Sequence, residues 1–156
     1  MKICMVGQGA FARKHLEGLK RIKDAEVISI YGRTAETTEA AAQKYGIPHW
    51  TSNFDEALSR PGLEAVILTS PTQVHAEQAI KCMRTGKHVE IEIPISDTLA
   101  DAERILAVQK ETGVVAMEDI LGGSIPAING STRESKPVNS NCSILSFRRF
   151  SSAGPT

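Results

Sequence analysis

Net charge is the first thing this chain lacks. Lys plus Arg equals Asp plus Glu at 18 each, so there is no basic excess to bind a nucleic-acid backbone or an anionic membrane. Cysteine is scarce as well. Cys4, Cys82 and Cys142 are odd in number, far apart and never in a C-x-x-C pair. That pattern argues against a disulfide framework and a structural zinc site, and it suits a reducing cytoplasm. Long apolar runs are also missing: none approaches the ~20 residues of a membrane span, and the N-terminus lacks a signal peptide's apolar stretch. The expectation is a cytoplasmic protein without a metal centre. At 156 residues, 41% hydrophobic and 23% charged, it has the make-up of one globular domain with a real core.

What the chain does have is concentrated at its start. Lys2–Val6 is a short apolar run that passes into Gly7, Gln8, Gly9, Ala10, Phe11 and Ala12, and an amphipathic helical pattern follows at once. A strand leading through G-x-G-x-x-A into a helix is a device for holding a pyrophosphate. The first glycine permits the tight turn, the second lets backbone approach the phosphates, and the small third residue lets helix and strand pack closely. Free N–H groups and the dipole at the helix N-terminus then favour the anion.

Strands and helices alternate from there to about residue 117. Expected strands are Lys2–Val6, Glu26–Tyr31, residues 47–50, Ala65–Leu68, His88–Glu92 and residues 114–117. Helical patterns fill 11–22, 36–45, a short piece ending near Leu58 and capped by Asn53 or Asp55, 74–85, and 98–112. The unbroken apolar run Ala65–Leu68 reads as a central parallel strand buried on both faces. The fold class is therefore α/β, a doubly wound and mostly parallel Rossmann sheet over 1–117. Residues 118–156 are rich in Ser, Gly, Pro and Asn and hold no period, so an irregular or disordered tail is expected there.

The end of the second strand is where such a sheet distinguishes its cofactors. An acid there would hold the adenosine ribose and favour NAD. This chain has Tyr31, Gly32, Arg33 and Thr34, with no acid before Glu36. Arg33 offers a planar cationic fork and Thr34 a hydroxyl, both suited to a 2′-phosphate, so NADP is the expected cofactor with NAD as the alternative. Thr69, Ser70, Pro71, Thr72 and His75 follow the fourth strand, on the carboxyl edge where ligands sit. They either line the cofactor crevice or cap the next helix with a solvated His75. Glu92 ends the fifth strand on the same edge, either binding a ribose hydroxyl or standing as a surface carboxylate. His15 and Cys82 read as packing residues. Phe147, Arg148, Arg149 and Phe150 form an isolated basic-aromatic patch to which no role is given.

Taken together, the glycine loop, the S-P-T-x-x-H turn (70–75) and the V-E-I-E-I-P strand end (89–94) resemble the Gfo/Idh/MocA oxidoreductase family over residues 1–117. K-H-L-E-G-L (14–19), P-T-Q-V-H-A-E-Q-A-I (71–80) and G-K-H-V-E-I-E-I-P (86–94) are similar to its branch of semialdehyde dehydrogenases from aromatic ring-cleavage catabolism. The resemblance implies hydride transfer to NADP from a cyclic hemiacetal. Most of the family has E-K-P where this chain has Glu92, Ile93 and Pro94, which removes a lysine otherwise placed beside nicotinamide and substrate. The family continues with G-H-x-R-R-F-N-P and a second, substrate-binding domain. Back-translated and read with each codon starting on the third base of the one before, the segment from Glu118 permits G-H-T-R-R-F-N-P. The tail is thus expected to be an out-of-frame translation that leaves the chain alone inactive. Two other readings are a stand-alone NADP-sensing module with an interaction tail, and an S-adenosylmethionine domain, against which the missing acid after strand two counts.

Overall fold

Apolar strands alternating with amphipathic helices have one economical solution, a parallel sheet covered by helices on both faces. The computed structural model describes residues 1–119. The tail beyond residue 119, which was expected to be out of frame, and the patch at 147–150 lie outside the described residues, as does Cys142. The strands are β1 (Lys2–Val6), β2 (Glu26–Tyr31), β3 (Trp50–Thr51), β4 (Ala65–Leu68), β5 (His88–Glu92) and β6 (Ala116–Asp119). The helices are α1 (Ala10–Leu19), α2 (Ala35–Tyr45), α3 (Phe54–Leu58), α4 (His75–Arg84) and α5 (Leu99–Thr112), with a single 3-10 turn at Thr72–Val74 before α4. None of these helices is long and apolar enough to cross a membrane.

The strand order is β3-β2-β1-β4-β5-β6, and each neighbouring pair is parallel. This is the doubly wound sheet expected from the sequence. The chain winds outward from β1 to β3, then crosses back to β4 and winds the other way. The reversal between β1 and β4 opens a crevice at their carboxyl ends.

Side chains alternate across a strand, so each central strand feeds two cores. Ile3, Met5, Ile30 and Ile67 meet Leu16 and Leu19 of α1 on one face. Cys4, Val6, Val66, Leu68, Val89 and Ile91 meet α3, α4 and α5 on the other. This is why Ala65–Leu68 is apolar at every position: all four residues are buried.

Three elements, α1, β3 and β6, differ from expectation by two residues or more, each for a physical reason. α1 closes at Leu19, and the chain continues in tight turns with Ile22 N–H donating to Leu19 O (2.9 Å), which still packs Ile22 against the core. β3 starts at Trp50 because Pro48 has no N–H for the ladder, while Ile47 turns inward instead. β6 lies two residues later than expected. Val114 and Val115 form the lead-in, with Gln109 Nε2 donating to Val114 O (3.0 Å) and Val115 N–H to His88 Nδ1 (3.1 Å). The ladder then runs from Val89↔Ala116 to Glu92↔Asp119. Of the two candidate caps for α3, Asn53 serves, its side chain accepting from Asp55 N–H (2.9 Å) and Glu56 N–H (3.3 Å).

Cys4 and Cys82 are free thiols within one core. Burial pushes the Cys4 thiol up to about 12 and the Cys82 thiol higher still. At pH 8 the Cys4 thiolate should be roughly a thousand-fold rarer than that of an exposed cysteine. Iodoacetamide labelling followed by peptide mass spectrometry should therefore leave both unmodified in the folded chain and modify both in 6 M urea. Labelling of either in the folded chain would contradict this packing.

Candidate cofactor site

The site is built on the end of β1. Gly7 N–H donates to Tyr31 O at the end of β2 (2.8 Å), while Thr69 N–H and Thr69 Oγ1 both donate to Val6 O (2.9 and 2.8 Å). The turn out of β1 is thereby clamped from both neighbouring strands. Gly7 has φ +107°, and a Cβ there would lie 2.6 Å from Thr69 Oγ1. Only glycine satisfies both constraints.

Gly9 is required differently. It stands immediately before α1 with an extended backbone, and no side chain caps the helix. A Cβ added to Gly9 would meet nothing within 4 Å. Its bare backbone faces open space at the uncapped N-terminus of a helix whose first turn carries no acid. Such a terminus presents N–H donors and positive potential to an incoming anion. Ala12, the small residue of the motif, is fully buried and lets α1 lie against the sheet. Ala10 is exposed, and Phe11, 48% exposed, stands at the mouth with the Lys14 ammonium 5.3 Å from its ring centre.

Across the crevice, Gly32 is buried, and Arg33 and Thr34 are exposed at the start of α2. Thr34 O accepts from Thr38 Oγ1 (2.7 Å), Thr37 Oγ1 (3.1 Å) and Thr38 N–H (3.1 Å). Arg33 makes no ion pair or hydrogen bond among the described residues. The side chain of Gln8 reaches over from the glycine loop, Nε2 donating to Thr37 Oγ1 (3.0 Å).

Beyond the switch point, Thr69, Ser70 and Thr72 are half-buried and Pro71 is exposed. His75 is only 1% exposed. Its ring lies between two loops, Nε2 2.7 Å from Ser70 O and Nδ1 3.0 Å from Pro94 O. The solvated histidine allowed by the sequence is thus replaced by a buried clasp between the loops that follow β4 and β5. Pattern alone did not reveal this, because Pro94 O belongs to another strand end.

Glu92 is not a surface carboxylate. It is 4% exposed, and its Oε1 lies 2.7 Å from His15 Nε2 on α1. His15 Nδ1 stands 3.6 Å from Oε1 of the fully buried Glu90. His15, expected to be a packing residue, therefore joins two buried carboxylates. Among the described residues Glu92 Oε2 is buried without a hydrogen-bond partner, a cost of about 1–3 kcal/mol until a donor arrives. Ile93, the residue that follows, is 48% exposed. Among the described residues no group of three or more His, Cys, Asp or Glu side chains is arranged to hold a metal ion.

The sequence model described as an oxidoreductase family with an NAD-binding Rossmann fold matches residues 1–120. The chain belongs to the Gfo/Idh/MocA oxidoreductase family. It is 51% identical over 117 residues to 4-carboxy-2-hydroxymuconate-6-semialdehyde dehydrogenase of Sphingobium sp. strain NBRC 103272 / SYK-6, covering 75% of this chain and 37% of that one. It is 30% identical over 118 residues to scyllo-inositol 2-dehydrogenase (NADP(+)) of Bacillus subtilis, covering 76% of this chain and 36% of that enzyme. Among solved structures, a 3-ketoreductase of Actinomadura kijaniata in complex with NADP and TDP-benzene superposes with TM-score 0.71 at 28% identity, over 76% of this chain and 37% of that one. The chain thus spans little more than a third of these relatives, over the part that carries the nucleotide-binding sheet. As a Gfo/Idh/MocA domain it is an NAD(P)-binding unit.

The two glycines should separate on substitution. Gly7→Ala forces a side chain into Thr69 at positive φ, so its thermal midpoint should fall by several degrees. Gly9→Ala has room within the fold and should melt near the unsubstituted chain, yet bind NADPH at least about ten-fold more weakly. Melting curves paired with nucleotide fluorescence titrations check both. Normal NADPH affinity in Gly9→Ala would place the pyrophosphate elsewhere.

Proposed function

We propose that this chain is the cofactor-binding unit of an NADP-dependent dehydrogenase acting on the hemiacetal or semialdehyde product of an aromatic ring cleavage. The observation that carries the cofactor choice is Arg33, a guanidinium without a partner among the described residues, just after β2, where no carboxylate stands to receive a ribose diol. A 2′-phosphate supplies the charge and the acceptor oxygens that a planar fork binds, and the Thr34 hydroxyl adds a donor. The substrate class draws on the 51% identity to the Sphingobium enzyme.

The chain's residues divide the work along the crevice. The loop of Gly7, Gln8, Gly9 and Ala10, with the first N–H groups of α1, holds the pyrophosphate. Phe11 shields the loop from above. Thr69, Ser70, Pro71 and Thr72 wall the centre, and His75 fixes that wall from beneath. Glu92 receives a ribose hydroxyl on its unpartnered Oε2, while His15 holds its other oxygen. Two features of the fold support this fit: the open space over the Gly9 backbone and the orphaned carboxylate oxygen of Glu92. The dinucleotide, when bound, supplies the hydride acceptor. A reducing cytoplasm suits the two free thiols.

Arg33→Ala should weaken NADPH binding by roughly ten- to hundred-fold, the worth of a charge-assisted contact, and NADH binding much less. Parallel fluorescence titrations with the two reduced nucleotides measure this. Equal losses for both would overturn the NADP assignment.

A further inference from the structure

Resting on that cofactor reading, we propose that Gln8 is a positioning residue for the 2′-phosphate site, holding from the glycine loop the backbone that carries Arg33. In a G-x-G loop the middle side chain need only be tolerated, because the backbone does the binding. Here it does more. Gln8 is half-buried, and its amide crosses from the end of β1 to the first turn of α2. Its Nε2 donates to Thr37 Oγ1 (3.0 Å), and that hydroxyl in turn donates to Thr34 O (3.1 Å). The chain of donors runs one way, amide to hydroxyl to carbonyl. Each member has a single proton direction that satisfies both contacts.

The same amide lies on Gly32. A Cβ built at Gly32 would fall on Gln8 Oε1 and only 2.9 Å from Gln8 Cδ. Arg33 is therefore bracketed. The residue before it lies under the Gln8 amide, and the residue after it ends the hydrogen-bond chain that Gln8 starts. Arg33 has no side-chain partner among the described residues, so its backbone sets where the guanidinium starts from. Gln8 is itself steadied from behind, where Arg13 Nη1 donates to Gln8 O (3.3 Å). Cofactor discrimination at β2 is thus coupled to the identity of a residue in the phosphate loop of β1.

The test uses the full chain, with NADPH and NADH fluorescence titrations of the unsubstituted protein, Gln8→Ala, Arg33→Ala and the double variant, and a melting curve for each. Gln8→Ala should weaken NADPH roughly three- to ten-fold, the worth of one lost hydrogen bond, while NADH changes by less than about two-fold. On the Arg33→Ala background the same substitution should have little further effect, because coupled residues are not additive. Gln8→Glu keeps the length but sets a carboxylate beside the 2′-phosphate, so it should lower the NADPH-to-NADH preference further than Gln8→Ala. Equal weakening of both nucleotides by Gln8→Ala, or full additivity with Arg33→Ala, would overturn the positioning role while leaving the cofactor assignment intact. An Arg33→Ala variant with an unchanged preference would remove the cofactor assignment and this role with it.

Discussion

The close approach of Gly7 to Thr69 is the contact on which the site depends. Two neighbouring strands converge on the end of β1: Tyr31 O takes the Gly7 N–H, and Thr69 gives two hydrogen bonds to Val6 O. With β1 fixed between β2 and β4, the loop has one way out, and it delivers Gly9 to the start of α1 with its backbone bare. The crevice at the switch point follows from strand order, but its shape follows from this clamp. A side chain at Gly7 would push β4 and the glycine loop apart, and with them the two halves of the site.

Much of this was legible in the sequence because it is local. Lys2–Val6, Glu26–Tyr31, Ala65–Leu68 and His88–Glu92 form as read, since a run of apolar residues ended by turn formers leaves a strand little choice. Strand order could be expected because alternating strands and helices favour right-handed parallel crossovers. The boundaries that shifted depend on distant partners. β6 continues to Asp119 because β5 offers it a ladder as far as Glu92, a fact absent from the polar residues themselves. β3 shortened because Pro48 cannot pair.

The site was legible in its outline and obscure in its polar interior. Gly7, Gly9 and Arg33 stand out by type and place. The pairing of His15 with Glu92 joins residues 77 positions apart. Glu92 could be read as a strand-end surface carboxylate, whereas Glu90 and Glu92 are both buried. A buried carboxylate is tolerated when a donor faces it, and His15 supplies one from the opposite element. Thr37 and Thr38 carry no signal in the sequence, because hydroxyls in the first turn of a helix are ordinary. Their importance lies in the Thr34 carbonyl and the Gln8 amide that they connect.

One buried imidazole has a mechanical consequence. His75 touches Ser70 O on the loop after β4 and Pro94 O on the loop after β5, and almost none of it meets solvent. The two segments are tied through a single ring, so neither can swing outward without dragging the other or stripping the ring of a contact. The wall of the crevice on that side is therefore held as one plate.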